Sequence, residues 1–175
     1  MTPPNEILAR WNSLTPDAAA REILPCCGSQ AWAEQLAAQR PFLYPEDLFA
    51  ASDGVWLALP EADWIEAFDS HPRIGQQHAR AATAQSLSWS SSEQSAIAAS
   101  QDEAARLALA GANREYEAKF GRIFLICASG RSTSEILAML RARMGNTPEQ
   151  ELVEAAEQQR QITQLRLRRW LGLSS

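Results

Sequence analysis

The sequence predicts an all-α fold, a single-domain bundle of about eight helices, several of them short, over residues 1–175. Apolar residues recur at helical spacing, and cap and stop residues punctuate the chain at helix-length intervals. No stretch carries the alternation that a half-buried strand needs. At 175 residues a chain buries about 70% of its unfolded surface, so a core can form without staples.

The elements follow in order. Thr15-Pro16-Asp17 puts a hydroxyl cap, a proline at the first helical position and an acid in the first turn, predicting a short helix to about Leu24. Gly28-Ser29 opens the next, where Trp32 and Leu36 share a face and Arg40-Pro41 forces the chain out. Another runs from Pro45 to about Leu59, and Pro60 opens "PEADWIEAF", with Trp64 and Phe68 one turn apart. "GQQHARAATAQSLSWSSS" has no apolar stripe and reads as a surface excursion.

Helix resumes at "SSSEQSAIAAS", with Ser90 as cap and Glu93 three residues on as a capping box. It continues in "DEAARLALAGANREYEAKF", which Gly121 stops. "RIFLICASG" is the one continuous apolar run, a buried strand or a buried helix end, and periodicity leaves both open. Ser132 and Glu135 cap "EILAMLRARM", in which Ile136, Leu137, Leu140 and Met144 form a stripe. Thr147-Pro148 with Gln150 starts the last and longest helix.

Composition narrows the function. The net charge of -5, from 21 acidic and 16 basic side chains, argues against a hold on nucleic acid or anionic lipid. Three cysteines, two of them neighbours, offer neither a disulfide framework nor a Cys-x-x-Cys knuckle, so a reduced, cytoplasmic protein is expected. No signal peptide or membrane span is expected, since MTPPNEILARWNS lacks a cationic and then apolar region and no apolar run is long enough, and the closing Leu-Ser-Ser is no peroxisomal tail.

Three places could carry chemistry. His71 precedes Pro72, which ends the helix bearing Trp64 and Phe68. Its ring serves either the helix carbonyls or proton transfer at a cleft mouth, and sequence alone balances the two. Arg73 could close the same helix end or fork a substrate carboxylate, the first being favoured by spacing. With His78 as the other histidine and no third ligand at an informative spacing, no metal site is expected.

The Ser90–Gln94 turn, read as a helix start, would present free backbone N–H groups to an anionic or carbonyl-rich ligand, and Gln94 could read an amide. In the last helix, Arg168 and Arg169 complement the helix dipole. Arg166 enters a face flanked by Ile162, Leu165 and Leu167 and calls for an anionic partner. Cys127 reads as a small core residue.

Taken together, "GSQAWAEQLAAQRPF", "WIEAFDSHPRIG", "SWSSSEQ", "NREYEAKFGRIFLICASGRS" and "EILAMLRARMGNTPEQELVEAAEQQRQITQLRL" make nearly the whole chain resemble the OHCU decarboxylase family. The resemblance implies cofactor-independent decarboxylation of 2-oxo-4-hydroxy-4-carboxy-5-ureidoimidazoline (OHCU) to (S)-allantoin in urate degradation. It implies His71 as catalytic acid/base, Glu93 as its acidic partner and Arg166 as the arginine that reaches the substrate. Ligand-lining positions would be Pro72, the turn Ser90, Ser91, Ser92, Glu93 and Gln94, and the stretch Phe124, Leu125, Ile126, Cys127 and Ala128, the last mostly through backbone.

Ser95 departs from the glycine or alanine common after the Glu-Gln pair. A fused transthyretin-like hydrolase domain, which some relatives carry, is not expected. The resemblance points to a homodimer acting on a small molecule, with no nucleic-acid or membrane partner. Two rival readings remain at this stage: a non-enzymatic helical module that binds a partner through a groove, and a lyase or hydrolase for a related ureide.

Overall fold

Side-chain caps set most of the helix starts in this computed structural model, which describes residues 5–74 and 83–173. Ten α-helices form among the described residues, with no strand. They are α1 (Glu6–Asn12), α2 (Pro16–Ile23), α3 (Gln30–Ala38), α4 (Pro45–Ala58), α5 (Glu61–Asp69), α6 (Ala84–Glu93), α7 (Ser95–Ala98), α8 (Glu103–Phe120), α9 (Thr133–Arg143) and α10 (Pro148–Trp170). The all-α expectation holds, with ten helices where about eight were expected. The added ones are short, and α1, unforeseen, starts where Asn5 accepts a bond from the Leu8 N–H.

Expected caps at Thr15, Ser29 and Ser132 are all present, the last with Glu135 as a reciprocal box. Thr147 and Gln150 likewise exchange bonds at the start of α10. Gly121 ends α8 in the left-handed conformation at φ 70°, which a glycine adopts without steric cost.

Contacts divide the chain into two compact units, Met1–Ala67 with Arg160–Ser175, and Phe68–Gln159. The first centres on Trp11, fully buried, stacked on Phe42 at 6.3 Å and edge-on to Trp170 at 5.7 Å. The Arg40 guanidinium covers the Trp11 ring at 5.1 Å and donates to the carbonyls of Trp11 and Leu14, so the bend at the cis Arg40-Pro41 peptide is tied to α1. Trp32 donates its indole N–H to Ser52 in the same unit.

The second unit packs Leu109, Ala112 and Tyr116 of α8 against Ile136, Leu137 and Leu140 of α9, with Phe124 and Ile126 between them in the core. At its centre Glu151, fully buried, accepts from Tyr116 Oη, from Arg143 and, at 2.9 Å, from Asn146. Arg143 also caps the Phe124 ring at 4.5 Å and donates to the Leu125 carbonyl at 2.7 Å. Burial first, then the bond to Glu151, pushes the Tyr116 phenol above its ordinary range, so it stays a neutral donor.

Removing one partner of such a pair strands a buried charge, which costs about 3–5 kcal/mol. Glu151→Ala should therefore lower the melting temperature by roughly 10 °C, read by circular dichroism. An unchanged melting temperature would show the network to be dispensable.

Two local expectations are corrected. Ser90 is no cap: α6 starts at Thr83, whose side chain and that of Ser86 form the capping box, so Ser90, Ser91 and Ser92 lie inside the helix and Glu93 is its last residue. Of the expected excursion, residues 75–82 lie outside the described residues and the rest is this helix. Its buried positions Ser86, Ser90 and Glu93 recur at helical spacing, and no apolar stripe betrays them.

The apolar run Phe124–Ala128 is neither strand nor helix. Side chains take up its backbone groups instead: Leu125 O accepts from Arg143, Cys127 N–H donates to Gln158 Oε1 at 3.0 Å, and Cys127 O accepts from Arg131 at 3.1 Å. A backbone satisfied this way needs no ladder.

Candidate active site

The unit Phe68–Gln159 holds every expected site residue except Arg166. α5 ends at Asp69 and the His71 N–H closes on the Phe68 carbonyl at 3.1 Å. Pro72 then prevents another turn, so the imidazole leaves the helix at a fixed point. His71 is 6% exposed, and its Nε2 lies 2.7 Å from Oε1 of Gln159, which is fully buried on α10. Pro72 is buried beside it.

Arg73 pairs with Glu117 of α8 through a two-point ion pair. That is a cross-helix tie, not closure of its own helix end, and the Glu117 carboxylate raises the guanidinium pKa further. Gly75 and His78 lie outside the described residues. Among the described residues no group of three His, Cys, Asp or Glu side chains could hold a metal.

The acid sits at an unexpected end. Glu93 is 8% exposed at the C-terminus of α6, where Gln94 is the cap residue and the Gln94 N–H bonds back to Ser90 O at 3.0 Å. Ser90, Ser91 and Ser92 therefore present no helix-start N–H groups to a ligand, because their amides lie within the helix. Gln94 also opens α7, so Glu93 lies at the junction of two helices and is the cap residue of neither.

Cys127 is half-buried, and Phe124, Leu125, Ile126 and Ala128 are buried. The Gln158 amide that holds Cys127 donates its NH2 to Glu154 at 2.9 Å, which leaves Oε1 for the Cys127 N–H. Consecutive glutamines of α10 thus hold the two arms, Gln158 the Phe124–Ala128 stretch and Gln159 the His-Pro turn. Both were missed in the sequence. Their one signal was polarity among Ala155, Ala156 and Ile162, which are buried on the same helix.

In the other unit Arg166 is fully buried and donates to the Pro25 carbonyl at 3.2 Å. Its charge also acts on Cys26 and Cys27, yet burial dominates both thiols, raising Cys26 strongly and pushing Cys27 up to about 12. Neither is a nucleophile at neutral pH.

Comparison with known proteins now adds to this geometry. A family model described as OHCU decarboxylase matches residues 12–168. The chain is 39% identical over 142 residues to the "Uric acid degradation bifunctional protein TTL" of Arabidopsis thaliana, covering 81% of this chain but 44% of that protein. It is 33% identical over 129 residues to the "2-oxo-4-hydroxy-4-carboxy-5-ureidoimidazoline decarboxylase" of Amia calva, with 73% of each covered.

Among solved structures, one of an OHCU decarboxylase in the presence of (S)-allantoin superimposes with a TM-score of 0.74 at 36% identity, over 86% of this chain and 97% of that one. A second, of an (S)-allantoin synthase, shares the fold with a TM-score of 0.69 at 18% identity, over 96% of this chain and 54% of that one.

Proposed function

The chain belongs to the OHCU decarboxylase family, and we propose that it decarboxylates OHCU to (S)-allantoin in urate degradation, with His71 as acid/base. The observation that carries the residue assignment is the buried imidazole fixed at the end of α5 by Pro72 and hydrogen-bonded to Gln159. An imidazole, which can both take up and release a proton, suits the reaction when held in one orientation.

The chemistry supplies its own electron sink. The substrate has a hydroxyl and a carboxylate on one ring carbon, beside a C=N carbon bearing the ureido group. Cleaving the C–CO2 bond sends its electron pair into a new C=C bond, and the C=N pair moves onto nitrogen, which takes a proton. The resulting enol loses its hydroxyl proton to form the carbonyl, and the neighbouring carbon gains one. No external electron sink is needed, and the protein has to orient, move protons and choose a face.

In this reading His71 handles the hydroxyl proton and delivers one to a single face, with Glu93 favouring the charged ring. Gln94 and Phe124–Ala128 read the ureido and ring amides, and Pro72 and Ser90–Ser92 complete the lining. The protein is one cytoplasmic domain that acts as a homodimer on this small molecule, without a nucleic-acid or membrane partner. Its net acidity supports that placement, and among the described residues no helix is long and apolar enough to cross a membrane.

OHCU decays spontaneously, so the test generates it in place from urate with urate oxidase and the hydrolase. Circular dichroism of the product should show the (S)-allantoin signal rising with this protein. Racemic product at the uncatalysed rate would end the proposal.

A further inference from the structure

We propose that Gln159 is a positioning residue that keeps the proton of the neutral His71 ring on Nε2, so that Nδ1 is the nitrogen that accepts a proton. An amide oxygen only accepts, so at 2.7 Å from Gln159 Oε1 the His71 Nε2 must donate. A neutral imidazole has one N–H, and the basic lone pair is then on Nδ1. Gln159 is fully buried and His71 nearly so, which makes an unpaired state of either group costly and the bond persistent.

The assignment constrains Glu93 as well. A carboxylate only accepts, so Glu93 can bond a second ring N–H only in the imidazolium. Gln159 therefore sets the resting tautomer, while a carboxylate such as Glu93 favours the state reached after proton uptake. The neighbouring Gln158 holds a backbone N–H and no ring, so it has no part in this choice.

The kinetic consequence rests on the decarboxylase reading, but the tautomer does not. The chain has two histidines, so histidine labelled with 15N gives two ring systems, and His78→Gln assigns them. Long-range proton–nitrogen spectra of the full chain, titrated from acid to base, should show neutral His71 protonated at Nε2. In Gln159→Glu the acceptor is retained with a charge, so the His71 pKa should rise by about one unit or more. Gln158→Leu should leave the His71 pKa and tautomer where they were.

With freshly generated OHCU, Gln159→Leu should lower kcat by about tenfold to a hundredfold with KM within about twofold, the scale of a misplaced catalytic group. A neutral ring protonated at Nδ1, a His71 pKa unmoved by Gln159→Glu, or full kcat in Gln159→Leu would each overturn the proposal. Should Gln159→Leu fail to fold, the wild-type tautomer and the Gln159→Glu titration still decide. Expected spectra from a wild-type protein that makes no (S)-allantoin would sink the decarboxylase reading and leave the role of Gln159 standing.

Discussion

His71→Ala should reduce (S)-allantoin formation to the spontaneous background, a loss of about a hundredfold to ten thousandfold in the catalysed rate. Folding complicates the measurement, because the substitution removes the ring donor from the buried Gln159 Oε1, a cost of about 0.5–1.5 kcal/mol. The helical circular dichroism should nevertheless survive. His71→Gln separates the effects, since its amide nitrogen reaches about as far as Nε2 and can still donate toward Gln159 but cannot shuttle a proton near neutral pH. Both variants should be folded and inactive, and their residual allantoin racemic. If either produces the (S)-enantiomer above background, His71 is not the acid/base.

How much of this could be read from residues alone depended on which interaction set each element. Where a backbone cap did so, the reading succeeded, as at Thr15, Ser29, Ser132 and Thr147, because capping is local and its partners lie within three residues. It failed at α6, since the face that α6 buries is made of Ser86, Ser90 and Glu93, and a search for apolar periodicity passes over polar burial.

Phe124–Ala128 failed for another reason. Its backbone is satisfied by Arg143, Gln158 and Arg131, the first two 18 and 31 residues away, and no local pattern announces a coil held by distant side chains. The His-Pro turn was located correctly, and its helix does end there. What neither spacing nor motif revealed was Gln159, 88 positions away, or that Arg73 ties across to Glu117, 44 positions away.

Glu93→Gln should divide catalysis from stability, and the corrected position of Glu93 makes the test sharper. Had Glu93 belonged to a capping box, glutamine would have preserved the cap and its effect on the fold would have been ambiguous. Glutamine keeps the size of the buried Glu93 side chain and one acceptor oxygen, so the helical fold should survive with a melting temperature within about 3 °C of the parent chain.

Turnover should fall by about a hundredfold if the charge supports proton transfer by His71. The sign of the pH effect follows from the same charge. In the proposed pairing with His71 the Glu93 carboxylate would favour the imidazolium and raise the ring pKa, so its removal should lower that pKa and move the acid limb of the rate profile to lower pH. Loss of turnover together with loss of stability would make Glu93 a structural residue. Full turnover with an unmoved acid limb would remove it from the site.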